Sequence, residues 1–299
     1  MVRKIAISLV SQFIAAYLFK TCRFLLLSFG ALCLALSTFA EAQQRLPRKA
    51  EIVQLAPRPD VLMRYLLIYE QVATPKAVAV LFAGGDGLLK LRGEGENIQF
   101  NLAGNFLVKS RGYFRDDETA IALVDAPSDQ INFGFDVNFR KSKEHAADIQ
   151  SIVDDLRKRF SGAKVFLIGT SAGTVSAANV GMQLAGAVDG VILTSSAVEW
   201  GPVKWGRMSG SYLNGFDFDL IKAPLLFVHH VGDVCVVSTF ASVKKYMDKF
   251  PFIAVLGGDP VRDDGCGAQG PHGFLGREKD VVSEIKNWMH GRPYRKEIP

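Results

Sequence analysis

The residues with the clearest chemical potential form the stretch Gly169-Thr170-Ser171-Ala172-Gly173. An apolar run over 164–168 precedes it and an amphipathic segment reaching residue 184 follows, so the pattern predicts a sharp turn from a strand into a helix. Such a turn lifts its central serine above the sheet, and the flanking glycines let neighbouring backbone approach without a Cβ clash. Ser171 is therefore a candidate nucleophile. The alternative is a serine that only caps the helix.

A serine hydroxyl is a weak nucleophile at neutral pH, so it needs a histidine to take its proton and a carboxylate to orient that histidine. The chain has five histidines. His145 and His290 belong to predicted helices and are expected on the surface. His229 and His230 end a predicted strand with side chains on opposite faces, where packing is the simpler interpretation. His272 lies in the loop Gly-Pro-His-Gly-Phe before the last predicted helix.

The elements that must position these groups alternate between short β-branched runs and longer amphipathic ones. Strands are predicted over 51–55, 62–72, 77–82, 120–124, 164–168, 190–195, 224–230 and 252–256, and helices over 105–114, 141–160, 171–184, 239–250 and 278–289. Parallel neighbours need crossover connections, so this alternation predicts an α/β fold: a mostly parallel eight-stranded sheet with helices on both faces. One domain over 43–299 is expected, because no repeat or linker interrupts it.

On these residues, the chain resembles the α/β-hydrolase superfamily, and within it serine esterases and dienelactone hydrolases, over most of residues 51–290. The family's chain order is serine, acid, histidine. The resemblance maps the nucleophile to Ser171, the acid to Asp233 in the Val-Gly-Asp-Val-Cys segment after the 224–230 strand, and the base to His272.

Acyl transfer also needs donors for a developing oxyanion. One expected donor is the amide of Ala172, directly after the nucleophile. The second is expected from the loop Ala83-Gly84-Gly85-Asp86-Gly87, which resembles the family's His-Gly-x loop with Ala83 in place of histidine. Gly85 is the first choice for this donor and Gly84 the second. A phosphate-binding loop is the rival interpretation, but no G-x-x-x-x-G-K-[ST] motif follows.

The N-terminal 42 residues have the pattern of a secretory signal. An apolar stretch over 24–40 follows Lys20 and Arg23 and precedes Ala40-Glu41-Ala42, which is the order of basic region, apolar core and small residues at a cleavage site. We predict a signal peptide over 1–42, cleavage after Ala42, and a periplasmic or secreted protein. The alternative is an uncleaved membrane anchor, although neither this run nor the one over 5–19 reaches the ~20 apolar residues of a comfortable span.

Two of the four cysteines, Cys235 and Cys266, belong to the predicted mature chain. An even pair in an exported protein predicts one disulfide, and two buried thiols are the alternative. Because Cys235 follows the expected acid and Cys266 precedes the expected base, a bridge between them would tie the two loops together.

Charge and motifs narrow the partners. Residues 1–42 carry a net +3 of the formal +5, and the remainder carries 31 basic minus 29 acidic residues, or +2. We therefore expect no nucleic-acid partner, and no membrane partner once the signal is removed. The sequence has no H-E-x-x-H and no C-x-x-C motif, and neighbouring strand residues cannot both face one ion, so we expect no metal and no cofactor.

The segment 196–223 is rich in aromatic residues. Trp200, Trp205 and Tyr212 are the candidates for lining an apolar substrate pocket, and packing over the sheet edge is the alternative. The sequence thus predicts an exported serine hydrolase that cleaves small-molecule carboxylic esters through an acyl-enzyme. A peptidase, amidase or lactone hydrolase of the same fold is the first alternative, and a non-catalytic periplasmic binding protein is the second.

Overall fold

A single sheet organises the computed structural model, which describes residues 48–71, 74–263 and 265–299. Its strands are β1 Arg48–Arg58, β2 Val61–Glu70, β3 Ala77–Phe82, β4 Thr119–Val124, β5 Lys164–Thr170, β6 Gly190–Thr194, β7 Leu225–His230, β8 Phe252–Val255 and β9 Glu297–Ile298. Their order is β1-β2-β4-β3-β5-β6-β7-β8-β9. The pairs β1/β2 and β2/β4 are antiparallel and all later pairs are parallel.

The mostly parallel sheet is therefore confirmed, with one strand more than the eight predicted. The additional strand, β9, has only two residues and pairs with β8 at the sheet edge. A segment this short carries no alternation that a sequence pattern could reveal. Strand β2 ends at Glu70, two residues before its predicted end, and Val72 lies outside the described residues.

Helices cover both faces of the sheet, as predicted. They are α1 Phe106–Phe114, α2 Val137–Arg140, α3 Lys143–Arg159, α4 Gly173–Gln183, α5 Phe240–Val243 and α6 Glu278–Met289. Alternate residues of β3 divide the core: Val78, Val80 and Phe82 pack with the α3 and α4 side, whereas Ala79 and Leu81 pack with the α1 and α6 side. Both faces are buried because parallel strands need helices on each side.

Two local expectations were wrong. The helix predicted over 239–250 consists of α5 and a short 3-10 turn over Lys244–Tyr246, and the Tyr246 ring stacks on Phe227. Aromatic packing therefore overrides the helical pattern there. His145, expected on the surface, is fully buried in α3 between the rings of Phe82 and Phe135.

The predicted signal peptide over 1–42 and the adjoining residues 43–47 lie outside the described residues. In the ranges that the structure describes, no helix combines the length and the apolar character needed to span a membrane.

Candidate active site

The carboxyl ends of the parallel strands meet at one edge of the sheet, where ligands bind in open α/β sheets. The segments that follow β3, β5, β6, β7 and β8 all start at this edge. They carry the residues that the sequence analysis selected for chemistry: the glycine loop after β3, Ser171 after β5, Asp233 after β7 and His272 between β8 and α6.

Ser171 sits in the turn between β5 and α4 with a positive φ of 52°. A non-glycine residue in this region costs on the order of 1 to 3 kcal/mol and persists only where its surroundings enforce it. The surroundings are tight: a Cβ on Gly173 would lie 2.1 Å from the Phe82 carbonyl oxygen, and one on Gly169 would lie 2.4 Å from the Gly173 carbonyl oxygen. The helix N-cap is Ala172, and no side chain caps it, so Ser171 does not serve as the helix cap.

Asp233 and His272 meet although 39 residues separate them in sequence. The His272 Nδ1 atom lies 2.9 Å from Asp233 Oδ2, and both side chains are buried. The Cys235 amide donates to Asp233 Oδ1 at 2.9 Å, and the Ser195 hydroxyl donates to the His272 carbonyl at 2.8 Å. Carboxylate and imidazole are thus each fixed by a second contact.

The carboxylate stays ionised in this site. Burial, the largest influence, raises the pKa of Asp233, but hydrogen bonds from His229 and His272 outweigh it, so the pKa lies below the usual range of a carboxyl. An ionised carboxylate accepts the Nδ1 proton of His272 and leaves Nε2 as the basic atom of the ring.

The Nε2 atom of His272 is buried and has no hydrogen-bond partner in the described part of the chain. Ser171 and His272 both line a small cleft of about 60 Å³. The structure therefore brings the hydroxyl and the basic nitrogen to one space without pairing them. Hydrogen bonds between catalytic groups often tighten only when substrate is bound.

His229 is a site residue that the sequence analysis missed. Its fully buried ring lies with Nε2 2.7 Å from the Ser238 carbonyl oxygen and 3.2 Å from Asp233 Oδ2. The Ser196 amide donates to Nδ1 at 3.3 Å, so the ring proton is on Nε2, where the Ser238 carbonyl accepts it and the carboxylate lies next to it. The Ser238 hydroxyl, 3.2 Å from Asp233 Oδ2, donates to that oxygen beside His272.

The backbone amides expected to bind an oxyanion donate no hydrogen bond to other described groups. Within the described ranges, no group accepts a hydrogen bond from the amide of Gly85 or Ala172. The Gly84 carbonyl accepts from the Gly87 amide at 3.3 Å, which turns the trans Gly84–Gly85 peptide so that its N–H points the opposite way. Gly85 and Ser171 line both the small cleft and a larger cavity of about 350 Å³, Ala172 lines only the larger cavity, and Gly84 lines only the cleft.

Arg140 holds this glycine loop by hydrogen bonds to its carbonyl groups. The sequence analysis did not select this residue. Its side chain is 1% exposed. The guanidinium donates to the carbonyls of Ala83 at 3.3 Å and Gly85 at 3.0 Å, and to the Ser176 hydroxyl at 2.8 Å. Burial lowers the pKa of Arg140 to about 10, so it remains protonated at neutral pH. No ion pair between Arg140 and a carboxylate forms in residues 48–71, 74–263 or 265–299.

The predicted disulfide between Cys235 and Cys266 is present, with the two Cα atoms 4.5 Å apart. It joins the loop that carries Asp233 to the loop that carries His272. Both cysteines line the larger cavity, and Cys266 also lines the small cleft. The bridge therefore forms part of the surface that a substrate would meet.

The three aromatic residues expected to line a substrate pocket separate into two groups. Trp205 and Tyr212 line the larger cavity together with Met208 and Val237. Trp200 does not line it and is 63% exposed, so its expected place in the pocket is wrong. The residue that follows, Gly201, pairs with Gly210 in an antiparallel bridge, so the chain turns away directly after Trp200. No group of three metal-binding side chains occurs among the residues described.

Comparison with solved structures identifies the fold. A dienelactone hydrolase from Anabaena variabilis is 12% identical, with a TM-score of 0.55 over 82% of this chain and 98% of its own. Est1E from Butyrivibrio proteoclasticus is also 12% identical, with a TM-score of 0.55 over 81% and 98%. An α/β serine hydrolase without a lid from Xanthomonas campestris is 12% identical, with a TM-score of 0.53 over 84% and 100%. The chain has the α/β-hydrolase fold.

The sequence comparisons cover less of this chain than the structural ones. The family model described as serine aminopeptidase, S33, matches residues 131–216. The matched segment contains Ser171 but neither Asp233 nor His272. No curated protein is significantly similar in sequence. The roles of individual side chains in this α/β-hydrolase domain therefore have to be argued from its own geometry.

Proposed function

We propose that this protein is an exported serine hydrolase that cleaves carboxylic esters through an acyl-enzyme on Ser171. His272 acts as the general base and then the general acid, and Asp233 orients it. The observation that carries the proposal is the 2.9 Å contact between His272 Nδ1 and Asp233 Oδ2, with the opposite ring nitrogen unpaired in the cleft that Ser171 lines. Because the Nε2 atom is buried there, it accepts a proton from a group that lies in this cleft.

The proposed reaction has two balanced halves. Ser171 Oγ attacks the ester carbonyl as His272 Nε2 takes the hydroxyl proton, and the tetrahedral intermediate then expels the alcohol, which leaves with that proton. Water next attacks the acyl-enzyme as Nε2 takes one of its protons. Collapse of this second intermediate breaks the bond to Ser171 Oγ, returns the proton to Oγ and releases the carboxylic acid.

The amides of Ala172 and Gly85 are the proposed oxyanion donors. Both face the larger cavity beside Ser171, and neither is taken by another described acceptor. Removing one such donor typically costs about 2.7 to 4 kcal/mol of transition-state stabilisation. Because the donors belong to the backbone, their position depends on what holds the glycine loop, and Arg140 holds it through the two flanking carbonyls.

Export is part of the proposal and is supported by two features. The leader over 1–42 has the residue order of a secretory signal, and the Cys235–Cys266 bridge suits an oxidising compartment. N-terminal sequencing of protein purified from the periplasm or medium tests this point. A mature chain that begins at Gln43 supports it, and a full-length chain held in the membrane fraction contradicts it.

Amide hydrolysis is the second candidate, and the match to the serine aminopeptidase model favours it. It uses the same side chains, so substrate panels separate it from ester hydrolysis. Lactone hydrolysis is tested in the same panel, since the fold is shared with a dienelactone hydrolase. A binding protein that reuses the fold without catalysis would give no covalent labelling by a fluorophosphonate.

The decisive experiment is labelling with a fluorophosphonate probe, run beside assays with p-nitrophenyl esters, aminoacyl-p-nitroanilides and lactones. Wild type is expected to be labelled on Ser171, and Ser171→Ala to lose both labelling and turnover. Ser151→Ala, which changes a serine on the α3 surface, is the matched control and should behave as wild type. Equal labelling of wild type and Ser171→Ala would contradict the assignment, and turnover of anilides alone would favour the amidase.

A further inference from the structure

Two spaces of different character meet at Ser171. The larger cavity, of about 350 Å³, is walled mainly by the side chains of Trp205, Met208, Tyr212 and Val237. The cleft has a volume of about 60 Å³. Four of its lining residues are glycine or alanine, and the six larger ones are Asn105, Phe106, Thr170, Ser171, Cys266 and His272. One space is thus large and mainly apolar, and the other is small and of mixed character.

His272 determines which part of an ester belongs in each space. When the tetrahedral intermediate collapses, the carbon–oxygen bond to the alcohol breaks, and the alcohol oxygen takes the proton held on His272 Nε2. That oxygen must therefore lie within hydrogen-bond reach of Nε2. His272 lines the cleft and does not line the larger cavity, so the alcohol part belongs in the cleft. The acyl chain, which stays bonded to Ser171, then extends into the larger cavity.

We infer that the substrates are esters of a bulky apolar acid, branched or aromatic, with a short aliphatic alcohol. This inference rests on the proposed function and specifies its substrate class. Since one water needs about 10 to 15 Å³ of accessible cavity volume, a cleft of about 60 Å³ holds roughly four to six non-hydrogen atoms, fewer than benzyl alcohol has. The larger cavity is within the usual size of small-molecule sites and is lined by the apolar and aromatic side chains typical of them.

Asn105 limits the cleft and supplies its polar side chain. Its Oδ1 accepts from the Leu107 amide at 3.2 Å as the N-cap of α1, which leaves Nδ2 as the outward group. Nδ2 lies 3.3 Å from the position of a Cβ added to Gly84, next to the nucleophile. A donor in this position suits the oxygen of a short alcohol, and in the second half-reaction the attacking water.

A pair of isomeric esters tests the assignment. Methyl phenylacetate and benzyl acetate have the same atoms, with the bulky group on the acid in the first and on the alcohol in the second. We expect kcat/KM at least about 10-fold higher for methyl phenylacetate, since one misplaced methylene already changes specificity by about 10-fold or more. Methyl acetate, which fits either arrangement, serves as the common reference.

Two variants reverse or remove the preference. Asn105→Ser keeps an N-cap oxygen while widening the cleft, so kcat/KM for benzyl acetate should rise at least about 5-fold relative to methyl acetate. Met208→Trp fills the larger cavity and should lower the ratio of kcat/KM for methyl phenylacetate to that for methyl acetate about 10-fold. Trp200→Ala, outside the cavity, is the matched control and should leave all three values unchanged.

The outcomes separate this inference from the function on which it rests. Equal or higher kcat/KM for benzyl acetate, or no turnover of either isomer by an enzyme that the fluorophosphonate labels on Ser171, would overturn the substrate class and leave the nucleophile standing. Absence of labelling together with absence of ester turnover would overturn both. A preference for methyl phenylacetate that Asn105→Ser narrows and Met208→Trp abolishes supports the assignment.

Discussion

The two sides of Ser171 are held in place by different means. On the acid–base side, Ser238 and His272 donate to Asp233 Oδ2, the His229 ring lies 3.2 Å from the same oxygen, and a disulfide ties the two loops together. On the oxyanion side, the Gly85 amide belongs to a loop that one buried guanidinium holds through the carbonyls of Ala83 and Gly85, beside backbone bonds such as that from the Phe135 amide to the Asp86 carbonyl. Several side chains thus support the first side, whereas among the residues described Arg140 alone donates a side-chain hydrogen bond to the 83–87 loop. Loss of one supporting contact should therefore matter less on the first side.

Removing the carboxylate itself is the exception and should have the largest effect. Asp233→Asn replaces an acceptor of the His272 Nδ1 proton with a group that can donate, so the ring loses the tautomer in which Nε2 is basic. Reductions of about 10⁴-fold in kcat are known for this change in serine enzymes, and we expect a similar loss. Steady-state assays of the variant beside Asp219→Asn, an exposed carboxylate, check it. Retention of a tenth of the activity would show that Asp233 does not orient the base.

Arg140→Met should have the next largest effect. The change keeps side-chain length and removes the donors to Ala83 and Gly85, so the oxyanion loop loses its support. We expect kcat to fall about 10² fold, close to the loss of one oxyanion donor, and Arg140→Lys to recover part of it. Affinity for a boronic acid, which mimics the tetrahedral state, should fall in proportion to kcat/KM. If the variant has a lower free energy of unfolding but its folded molecules bind the boronic acid as tightly as wild type, Arg140 has a structural role only.

His229→Gln should lower kcat more modestly, by about 10-fold, because Ser238 and His272 still donate to Asp233. Hydrogen bonds to charged groups contribute about 1.5 to 3 kcal/mol each. The matched control is His230→Gln, whose ring contacts Gly257 and Gly232 instead. A loss of kcat that is equal in both variants would show that the effect is general destabilisation.

The His229→Gln variant should also change how the free energy of unfolding depends on pH. Burial raises the pKa of Asp233, but the bonds from His229 and His272 outweigh it, so folding lowers the pKa. The contribution of Asp233 to the free energy of unfolding is therefore fully present above the pKa of the unfolded chain and is lost as the pH falls through the pKa of the folded chain. His229→Gln should raise the folded pKa and so flatten the decline in the free energy of unfolding below about pH 4. Urea titrations between pH 2 and pH 7 measure this, and an unchanged slope would rule out coupling to Asp233.

Removing the disulfide should change turnover least and stability most clearly. Replacing Cys235 and Cys266 by serine opens a loop with a sequence separation of 31 residues, for which the chain-entropy model gives about 3 to 4 kcal/mol. We expect a lower Tm and a several-fold fall in kcat, because the acid and base loops are then joined only by the Asp233–His272 contact and its neighbours. Full activity and an unchanged Tm after reduction would contradict the idea that the bridge keeps the two loops in register.

The two sides also differ in how far the sequence predicted them. Ser171 and the sheet were predictable because strand and helix periodicity and the glycine spacing are local patterns, and Asp233 and His272 followed from chain order. His229 and Arg140 have no such local signal. His229 contacts Asp233 on the other side of a turn, and Arg140 donates to a loop more than fifty residues earlier in the chain. Their roles arise from tertiary contacts between segments that no periodicity connects.

The wrong expectations have the same origin. His145 is predicted on the surface because it lies within a long helix, yet its ring is buried against Phe82 and Phe135 with neither nitrogen hydrogen-bonded to a described group. Trp200 is predicted in the pocket because its segment is rich in aromatic residues, yet its ring is mostly exposed and lines neither space beside Ser171. Composition indicates that a region is apolar, whereas the tertiary fold decides which ring faces which space.

The buried ring of His145 gives this protein a second response to acid that has no part in the chemistry. Burial, with Arg140 and Arg58 adding to it, lowers the pKa of His145 from 6.5 to about 3. The unfolded chain therefore binds a proton that the folded chain refuses, and stability that is present above pH 6.5 declines as the pH falls toward 3, at up to about 1.4 kcal/mol per pH unit. If the protein is exported as proposed, no cytoplasmic pH control protects it, and the acidity of its surroundings would act directly on the persistence of the fold through this one ring.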